Sequence, residues 1–186
     1  MRVIAGSCRG KRLKSVKGYS TRPTADRVKE AIFNVLTPQV KGTKVLDLFA
    51  GTGSIGIEAL SRGSDFVCFV DKDRKAVQVI KENLSGCKLT DRAQILPLDY
   101  LKALNILKSK NINFDLIFLD PPYKMLIIEA ILEKIIRLNL LAKDGVIIAE
   151  TAQDSNLAIE YEDLVKVREN IYGDTKITYF QFHEEG

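Results

Sequence analysis

From residue 44 onward the chain alternates between short apolar runs and amphipathic stretches, and this alternation restricts the fold more than any other feature of the sequence. Strands are predicted at 44–49, 66–71, 94–98, 115–120 and 145–150. Helices are predicted at 54–62, 73–84, 100–109 and 126–137, with a weaker helical pattern at 155–162. Alternating units of this kind form a parallel sheet that is covered by helices on both faces.

The end of the chain departs from this alternation. Residues 164–172 and 175–182 are two strand-like runs joined by Gly173 and Asp174, a dipeptide suited to a tight hairpin turn. The hairpin would place an antiparallel strand beside the parallel ones. The predicted fold is therefore α/β, with a seven-stranded, mostly parallel sheet whose last strand is antiparallel.

The first forty residues are organised differently. Residues 3–5 and 12–16 flank a segment of Gly, Ser, Cys and Arg, and we predict that they form a short basic hairpin. Thr24 can cap a helix over 24–37, which Pro38 ends. We therefore predict a basic N-terminal extension over 1–23 and one larger domain over 24–186.

Positive charge is concentrated in the first quarter of the chain. Residues 1–44 carry eleven Lys or Arg and two acids, a net charge of +9, whereas the whole chain carries +4 and the remainder therefore −5. A basic arm on an acidic domain favours a polyanionic partner, with a solvated lysine-rich surface as the alternative. The candidate phosphate contacts are Arg9, Lys11, Arg12 and Arg22.

Length and composition exclude several other classes of protein. A chain of 186 residues, 46% of them hydrophobic, can bury a core without disulfide or metal staples. Its apolar runs are far shorter than the roughly 18 to 20 residues of a membrane-spanning helix, and its first residues lack a signal-peptide pattern, so we expect a cytoplasmic protein. Three cysteines without CxxC spacing and one histidine predict no structural zinc site and no metal.

A glycine-rich loop follows the first predicted strand and opens a helix. Gly51, Gly53 and Gly56 match the dinucleotide-binding spacing GxGxxG, and Asp71 lies 20 residues beyond Gly51, where a ribose-binding acid belongs. On spacing alone this pattern indicates NAD. A pyrophosphate on the helix N-terminus would be repelled by the carboxylate of Asp47, which immediately precedes the loop.

Four predicted strand ends carry an aspartate at the same edge of the sheet. Asp47, Asp71, Asp99 and Asp120 suit a ligand with a cationic head and hydroxyl groups better than a diphosphate. S-adenosylmethionine has an ammonium, a sulfonium, a ribose diol and an adenine amine. The sequence therefore favours S-adenosylmethionine as cofactor, with NAD as a weaker alternative.

The string Asp120-Pro121-Pro122-Tyr123 follows the apolar run 116–119. Two prolines end the strand in an extended form and leave carbonyl groups unpaired. Asp120 and these carbonyls can accept both hydrogens of an exocyclic amine, and Tyr123 can stack on the ring that bears it. This string indicates transfer of a group to an amine on a flat ring.

Taken together, these motifs make the sequence similar to S-adenosylmethionine-dependent methyltransferases with the DPPY motif, and more narrowly to the RsmD family of small-subunit ribosomal RNA guanine-N2 methyltransferases. The resemblance is carried by residues 1–6, 10–13, 22–34, 45–63, 120–123 and 172–175. It implies a Rossmann-like class I methyltransferase fold of seven strands with the last antiparallel, preceded by a small extension.

The resemblance also implies roles for the cofactor-binding residues. Asp47 would face the methionine ammonium, directly or through water, and Gly51 and Gly53 would let the loop backbone approach the cofactor. Asp71 would bind the ribose diol, and Asp99 the adenine edge.

On the substrate side, Asp120 and the Pro121 carbonyl would hold the guanine amine, and Tyr123 would stack on the flipped base. The expected partner is ribosomal RNA, within or outside a small-subunit particle, and the protein is expected to be a monomer. The alternatives are an adenine-N6 methyltransferase acting on DNA or RNA and a Rossmann-like protein that binds nucleic acid without catalysis.

Overall fold

The computed structural model describes residues 1–16, 23–121 and 126–183, and these residues build one sheet of eight strands. The strands are β1 (Lys44–Asp47), β2 (Phe66–Val70), β3 (Ala93–Leu96), β4 (Phe114–Leu119), β5 (Leu141–Ala152), β6 (Glu160–Tyr161), β7 (Leu164–Tyr172) and β8 (Thr175–Phe182). Their spatial order is β3-β2-β1-β4-β5-β8-β7-β6. The first five strands pair in parallel, and β8 lies antiparallel between β5 and β7. The predicted α/β fold with a mostly parallel sheet is confirmed.

Helices cover both faces of this sheet. They are α1 (Pro23–Leu36), α2 (Ser54–Ser61), α3 (Arg74–Cys87), α4 (Tyr100–Ser109) and α5 (Leu126–Arg137), with short 3-10 helices at Thr37–Gln39 and Thr90–Arg92. Alternate strand residues feed two apolar cores: Val45 packs with α1, α2 and α3, whereas Leu46 packs with α4 and α5. Within the described ranges, no helix reaches the length and apolarity that spanning a membrane requires.

The weak helix predicted at 155–162 is wrong, and a short strand takes part of its place. Glu160–Tyr161 pairs antiparallel with the start of β7. The Tyr161 hydroxyl accepts a hydrogen bond from the Ala158 N–H at 2.7 Å and donates to Glu129 Oε1 at 2.9 Å, while Leu157 is buried in the core. These tertiary contacts outweigh a weak local helical preference, and they raise the strand count from the predicted seven to eight.

Residues 1–16, which we call the N-terminal segment, turn back on themselves without forming the two predicted strands. One antiparallel bridge joins Arg2 and Arg12, and the Val3 N–H donates to the Lys11 carbonyl at 2.9 Å. Gly10 at the turn has a φ of +82°, a conformation that glycine adopts without strain. The segment is therefore a tight loop closed by a bridge rather than a two-stranded hairpin.

Helix α2 fixes this segment to the body of the protein. Glu58 is fully buried, and its carboxylate accepts the N–H groups of Ile4 at 2.7 Å and Ala5 at 3.0 Å. One turn later, the Ser61 hydroxyl donates to the Ala5 carbonyl at 2.6 Å and accepts from the Cys8 N–H at 2.9 Å. The path of the segment along α2 is thus set by side chains of the helix rather than by strand pairing.

A buried lysine adds a second link at the other end of α2. Lys29 Nζ donates to the Arg2 carbonyl at 2.6 Å and to Ser54 Oγ at 2.9 Å, and it lies 3.7 Å from a Glu58 carboxylate oxygen. Burial lowers the pKa of Lys29, and the negative charges of Glu58 and Asp26 oppose that shift. This ion pair joins α1, the N-terminal segment and the first residue of α2.

Candidate functional site

The loop between β1 and α2 is shaped by glycines with different roles. Gly51 has a φ of +54°, and Gly53, the residue before α2, has a φ of +76°. Gly56 has an ordinary helical conformation, but a Cβ there would lie 2.3 Å from the Phe69 ring on β2. The first two positions therefore set the loop backbone, and the third lets α2 pack closely on the sheet.

Acidic residues stand at the carboxyl ends of five neighbouring strands, and we call this set the acidic edge. In spatial order they are Asp99 after β3, Asp71 after β2, Asp47 ending β1, Asp120 after β4 and Glu150 near the end of β5. The carboxyl ends of parallel strands meet at one edge of a sheet, so the four predicted aspartates lie at the same edge. Glu150 lies there as well.

Asp47 is the most enclosed member of the acidic edge. It is 5% exposed, and its Oδ2 accepts a hydrogen bond from the Gly56 N–H at 3.1 Å. Burial, opposed by the Gly56 bond and assisted by the charges of Asp120 and Asp71, raises the pKa of this carboxyl to about 7. Within the described chain, the other oxygen, Oδ1, has no hydrogen-bond partner and is available to a cation.

Asp71 and Asp99 both brace the backbone around them. Asp71 Oδ2 accepts from the Gly51 N–H and Oδ1 from the Asp73 N–H, each at 2.8 Å. Asp99 Oδ1 caps α4 by accepting from the Leu101 N–H at 3.0 Å. A carboxylate offers about four lone pairs, so both groups keep capacity to accept from a ligand while holding the loops in place.

Asp120 and Pro121 end strand β4. The Asp120 side chain is exposed, and among the residues that the structure describes it has no hydrogen-bond or ion-pair partner. Surrounding protein partly replaces its hydration, which raises the pKa of the carboxyl to about 6. Pro121 is half-buried and, lacking an N–H, ends the ladder. Tyr123, the predicted stacking residue, lies outside the described residues.

Glu150 was not among the site residues predicted from the sequence, although it ends the predicted strand 145–150. It is half-buried near the end of β5, and burial followed by the charge of Asp120 raises the pKa of its carboxyl to about 8. The available signal was its place in the alternation: it follows the apolar run 146–149 as Asp120 follows the run 116–119.

The predicted phosphate contacts spread along α2 instead of gathering at the acidic edge. Arg9, Lys11 and Arg12 are exposed and form no ion pair within the described chain. Arg12 bridges to Arg2 near the start of α2, whereas Arg9 follows Cys8, which bonds to the far end of the helix. An eight-residue helix is about 12 Å long, so these cations are spread out along the helix and do not form a cluster. Arg22 lies outside the described residues.

Comparisons with known proteins agree with this arrangement. A family model described as "Conserved hypothetical protein 95" matches residues 1–181. The chain is 46% identical over 181 residues to the Bacillus subtilis protein named "Putative rRNA methyltransferase YlbH", with 97% of this chain and 98% of the relative covered. It is 35% identical over 185 residues to "Ribosomal RNA small subunit methyltransferase D" of Haemophilus influenzae, with 97% and 93% covered.

The fold also matches a solved structure. The Escherichia coli protein titled "Putative methyltransferase yhhF" superimposes with a TM-score of 0.85 at 26% identity, covering 100% of this chain and 99% of that one. The Rossmann-like methyltransferase fold predicted from the sequence is thereby confirmed, with eight strands instead of seven.

Proposed function

Because this chain belongs to the conserved hypothetical protein 95 family, the RsmD family that its sequence resembles, we propose that it methylates the N2 amine of a guanine in small-subunit ribosomal RNA. The methyl donor is S-adenosylmethionine. The observation that carries the proposal is the exposed, unpartnered Asp120 carboxylate followed by Pro121, placed one strand from the glycine loop. The names of the relatives supply the class of RNA.

The acidic edge fits S-adenosylmethionine group by group. Asp47 Oδ1 is free to accept from the ammonium, and a Cβ on Gly51 would meet nothing within 4 Å, so there is open space above the loop. Asp71 and Asp99 keep lone pairs for the ribose hydroxyls and the adenine amine. When bound, S-adenosylmethionine supplies an electrophilic methyl carbon on a sulfonium.

Asp120 and Pro121 supply the contacts to the reacting amine. A guanine amine is a weak nucleophile because its lone pair is delocalised into the ring. The Asp120 carboxylate and the Pro121 carbonyl each accept one N–H, which frees the lone pair to point out of the base plane. With a pKa of about 6, Asp120 is mostly ionised at neutral pH and accepts well. The contribution is positional, and after attack the amine proton passes to solvent. We assign base stacking to Tyr123.

The N-terminal segment is the proposed contact with the RNA backbone. Its exposed, unpaired cations Arg9, Lys11 and Arg12 run along α2 from the acidic edge outward, and we add Arg22 from the sequence. Phosphate contacts position a substrate without reading bases. We therefore assign residues 1–23 to RNA binding and 24–186 to catalysis, with ribosomal RNA, free or in a small-subunit particle, as the partner.

Reversing charge in the N-terminal segment should weaken RNA binding and flatten its salt dependence. The variant R9E/K11E/R12E removes up to three phosphate contacts, and each lost contact lowers the slope of log K against log salt by about one unit. Filter binding of small-subunit rRNA between low and moderate salt measures that slope. The control K102E/K108E/K110E changes the same charge on α4 and the residue after it, across the sheet, and should leave the slope closer to wild type. A slope equal in both variants would assign the RNA contact elsewhere.

The experiment that tests the proposed function maps methyl groups on small-subunit rRNA from cells with and without this chain. We expect one N2-methylguanosine to disappear with the chain and to return when the purified protein and labelled S-adenosylmethionine are added. Loss of an N6-methyladenosine would favour the adenine alternative. RNA binding without any labelled product would favour the non-catalytic alternative.

A further inference from the structure

Glu150 stands beside Asp120 on the next strand of the sheet. Strands β4 and β5 pair in parallel, and Leu119 lies opposite Ala149. Asp120 and Glu150 are the next residues after this pair, one following each strand position. Neighbouring strands lie about 4.8 Å apart. Residues 118 and 148 face the core of α1, α2 and α3, and by strand alternation Glu150 shares that side. Burial is the larger cause of the raised pKa of Glu150, and the further contribution of the Asp120 charge agrees with this proximity.

Unlike the three acids before β4 in the acidic edge, Glu150 does not hold a backbone group in place. The side chains of Asp47, Asp71 and Asp99 each accept a backbone N–H, whereas the Glu150 side chain has no hydrogen bond or ion pair to any described residue. Its side chain is nonetheless half-buried. Keeping a carboxyl half-buried without a partner costs free energy, so the position is better explained by a ligand group than by packing.

Resting on the proposed function, we propose that Glu150 reads the N1–H and O6 edge of the guanine whose N2 amine is held by Asp120. The three groups N2, N1 and O6 follow one another along one edge of guanine. Asp120 accepts from the amine, and Glu150 lies one strand further on. The two side chains are therefore arranged in the same order as the groups along that edge. Glu150 is then a specificity-determining residue of the same site.

The chemistry of a neutral carboxyl suits this edge. Two adjacent carboxyls do not readily ionise together, and burial with the Asp120 charge raises the pKa of Glu150 to about 8, so its acid form predominates at neutral pH. A protonated carboxyl has one acceptor oxygen for N1–H and one O–H to donate to O6. Adenine placed with its amine at Asp120 presents only its N1 acceptor to Glu150. It therefore makes one hydrogen bond with Glu150, whereas guanine makes two.

The test compares two substitutions at 150 with two bases at the mapped target position. The RNA probes are small-subunit transcripts carrying guanine or 2-aminopurine, which keeps the N2 amine but lacks N1–H and O6. Because E150M leaves both guanine groups unpaired, we expect it to lower kcat/KM for guanine about 10- to 100-fold and to lower it for 2-aminopurine at least about tenfold less. Because the amide in E150Q retains an acceptor and a donor, it should stay within about threefold of wild type on guanine.

Controls separate a contact with the base from a structural effect. D144N and D144M alter an exposed acid on the same strand and should leave the ratio of kcat/KM between the two bases at the wild-type value. If the melting temperature shows that E150M folds poorly, the variant E150A is used in its place. Equal losses on both bases would overturn the role of Glu150 while the proposed function stands. Absence of methyl transfer to guanine N2 by the wild type would overturn both.

Discussion

Replacing Asp120 with alanine is expected to lower the rate of methyl transfer about 10²- to 10³-fold and to change the affinity for S-adenosylhomocysteine by less than about threefold. The carboxylate is exposed and forms no hydrogen bond or ion pair with a described residue, so its removal should cost little stability. It is assigned to the amine of the base, not to the cofactor. The loss should therefore fall on kcat. Single-turnover transfer of labelled methyl to rRNA and calorimetric titration with S-adenosylhomocysteine measure the two quantities.

Two further variants sharpen this result. Asp120→Asn keeps one acceptor oxygen and should lose less activity than alanine. Asp65→Ala removes an exposed acid just before β2, away from the acidic edge, and should leave both rate and affinity unchanged. If Asp120→Ala weakened cofactor binding as much as it slowed transfer, the carboxylate would belong to the cofactor pocket and the assignment to the amine would be wrong.

Most of the fold could be predicted because it depends on periodicity, which is a local property. The alternation of apolar and amphipathic stretches predicted β1 to β5 and the helices between them, and the turn residue Gly173 predicted the final hairpin. The errors fell where distant contacts decide. Residues 155–162 lack a helix because Tyr161 is held by Glu129 of α5, 32 positions away.

The candidate site was partly predictable for a related reason. Parallel strands bring their carboxyl ends together whatever the loops do, so the aspartates after β1 to β4 could be grouped from order alone. The sequence could not show which carboxyl groups already have hydrogen-bond partners: the Asp71 side chain accepts from the Gly51 and Asp73 N–H groups, whereas the Glu150 side chain accepts from no described residue. That difference separates an acid that also braces a loop from one whose side chain has no structural hydrogen bond.

The buried network beneath the N-terminal segment was also invisible in the sequence. Lys29 and Glu58 are 29 positions apart and carry no motif that links them. Their pairing arises because α1 and α2 pack on the same face of the sheet. It ties the RNA-binding segment to Ser54 at the start of α2, directly after the loop assigned to the cofactor.

Replacing Glu58 with alanine is expected to lower the free energy of unfolding by about 3–5 kcal/mol, or the melting temperature by roughly 10 °C. The change leaves the buried ammonium of Lys29 with one carboxylate at 3.7 Å, that of Asp26, instead of two, and it removes the acceptor for the Ile4 and Ala5 N–H groups. Arg62, whose Nε donates to Glu58 at 2.8 Å, loses that bond as well. Urea unfolding at fixed pH measures the effect.

The pH dependence of this deficit shows whether loss of the Glu58 charge beside Lys29 is its cause. Burial already lowers the pKa of Lys29, and loss of Glu58 removes a charge that raises it, so the pKa falls further in Glu58→Ala. A lysine whose pKa is lower in the folded state than in the unfolded state releases its proton more readily when folded, and stability then increases with pH. The deficit should therefore shrink between pH 7 and 9. Glu82→Ala breaks the exposed pair with Lys14 and should change the free energy of unfolding little at either pH. If the Glu58→Ala deficit were the same at both pH values, the lost N–H bonds, and not the buried charge, would hold the segment.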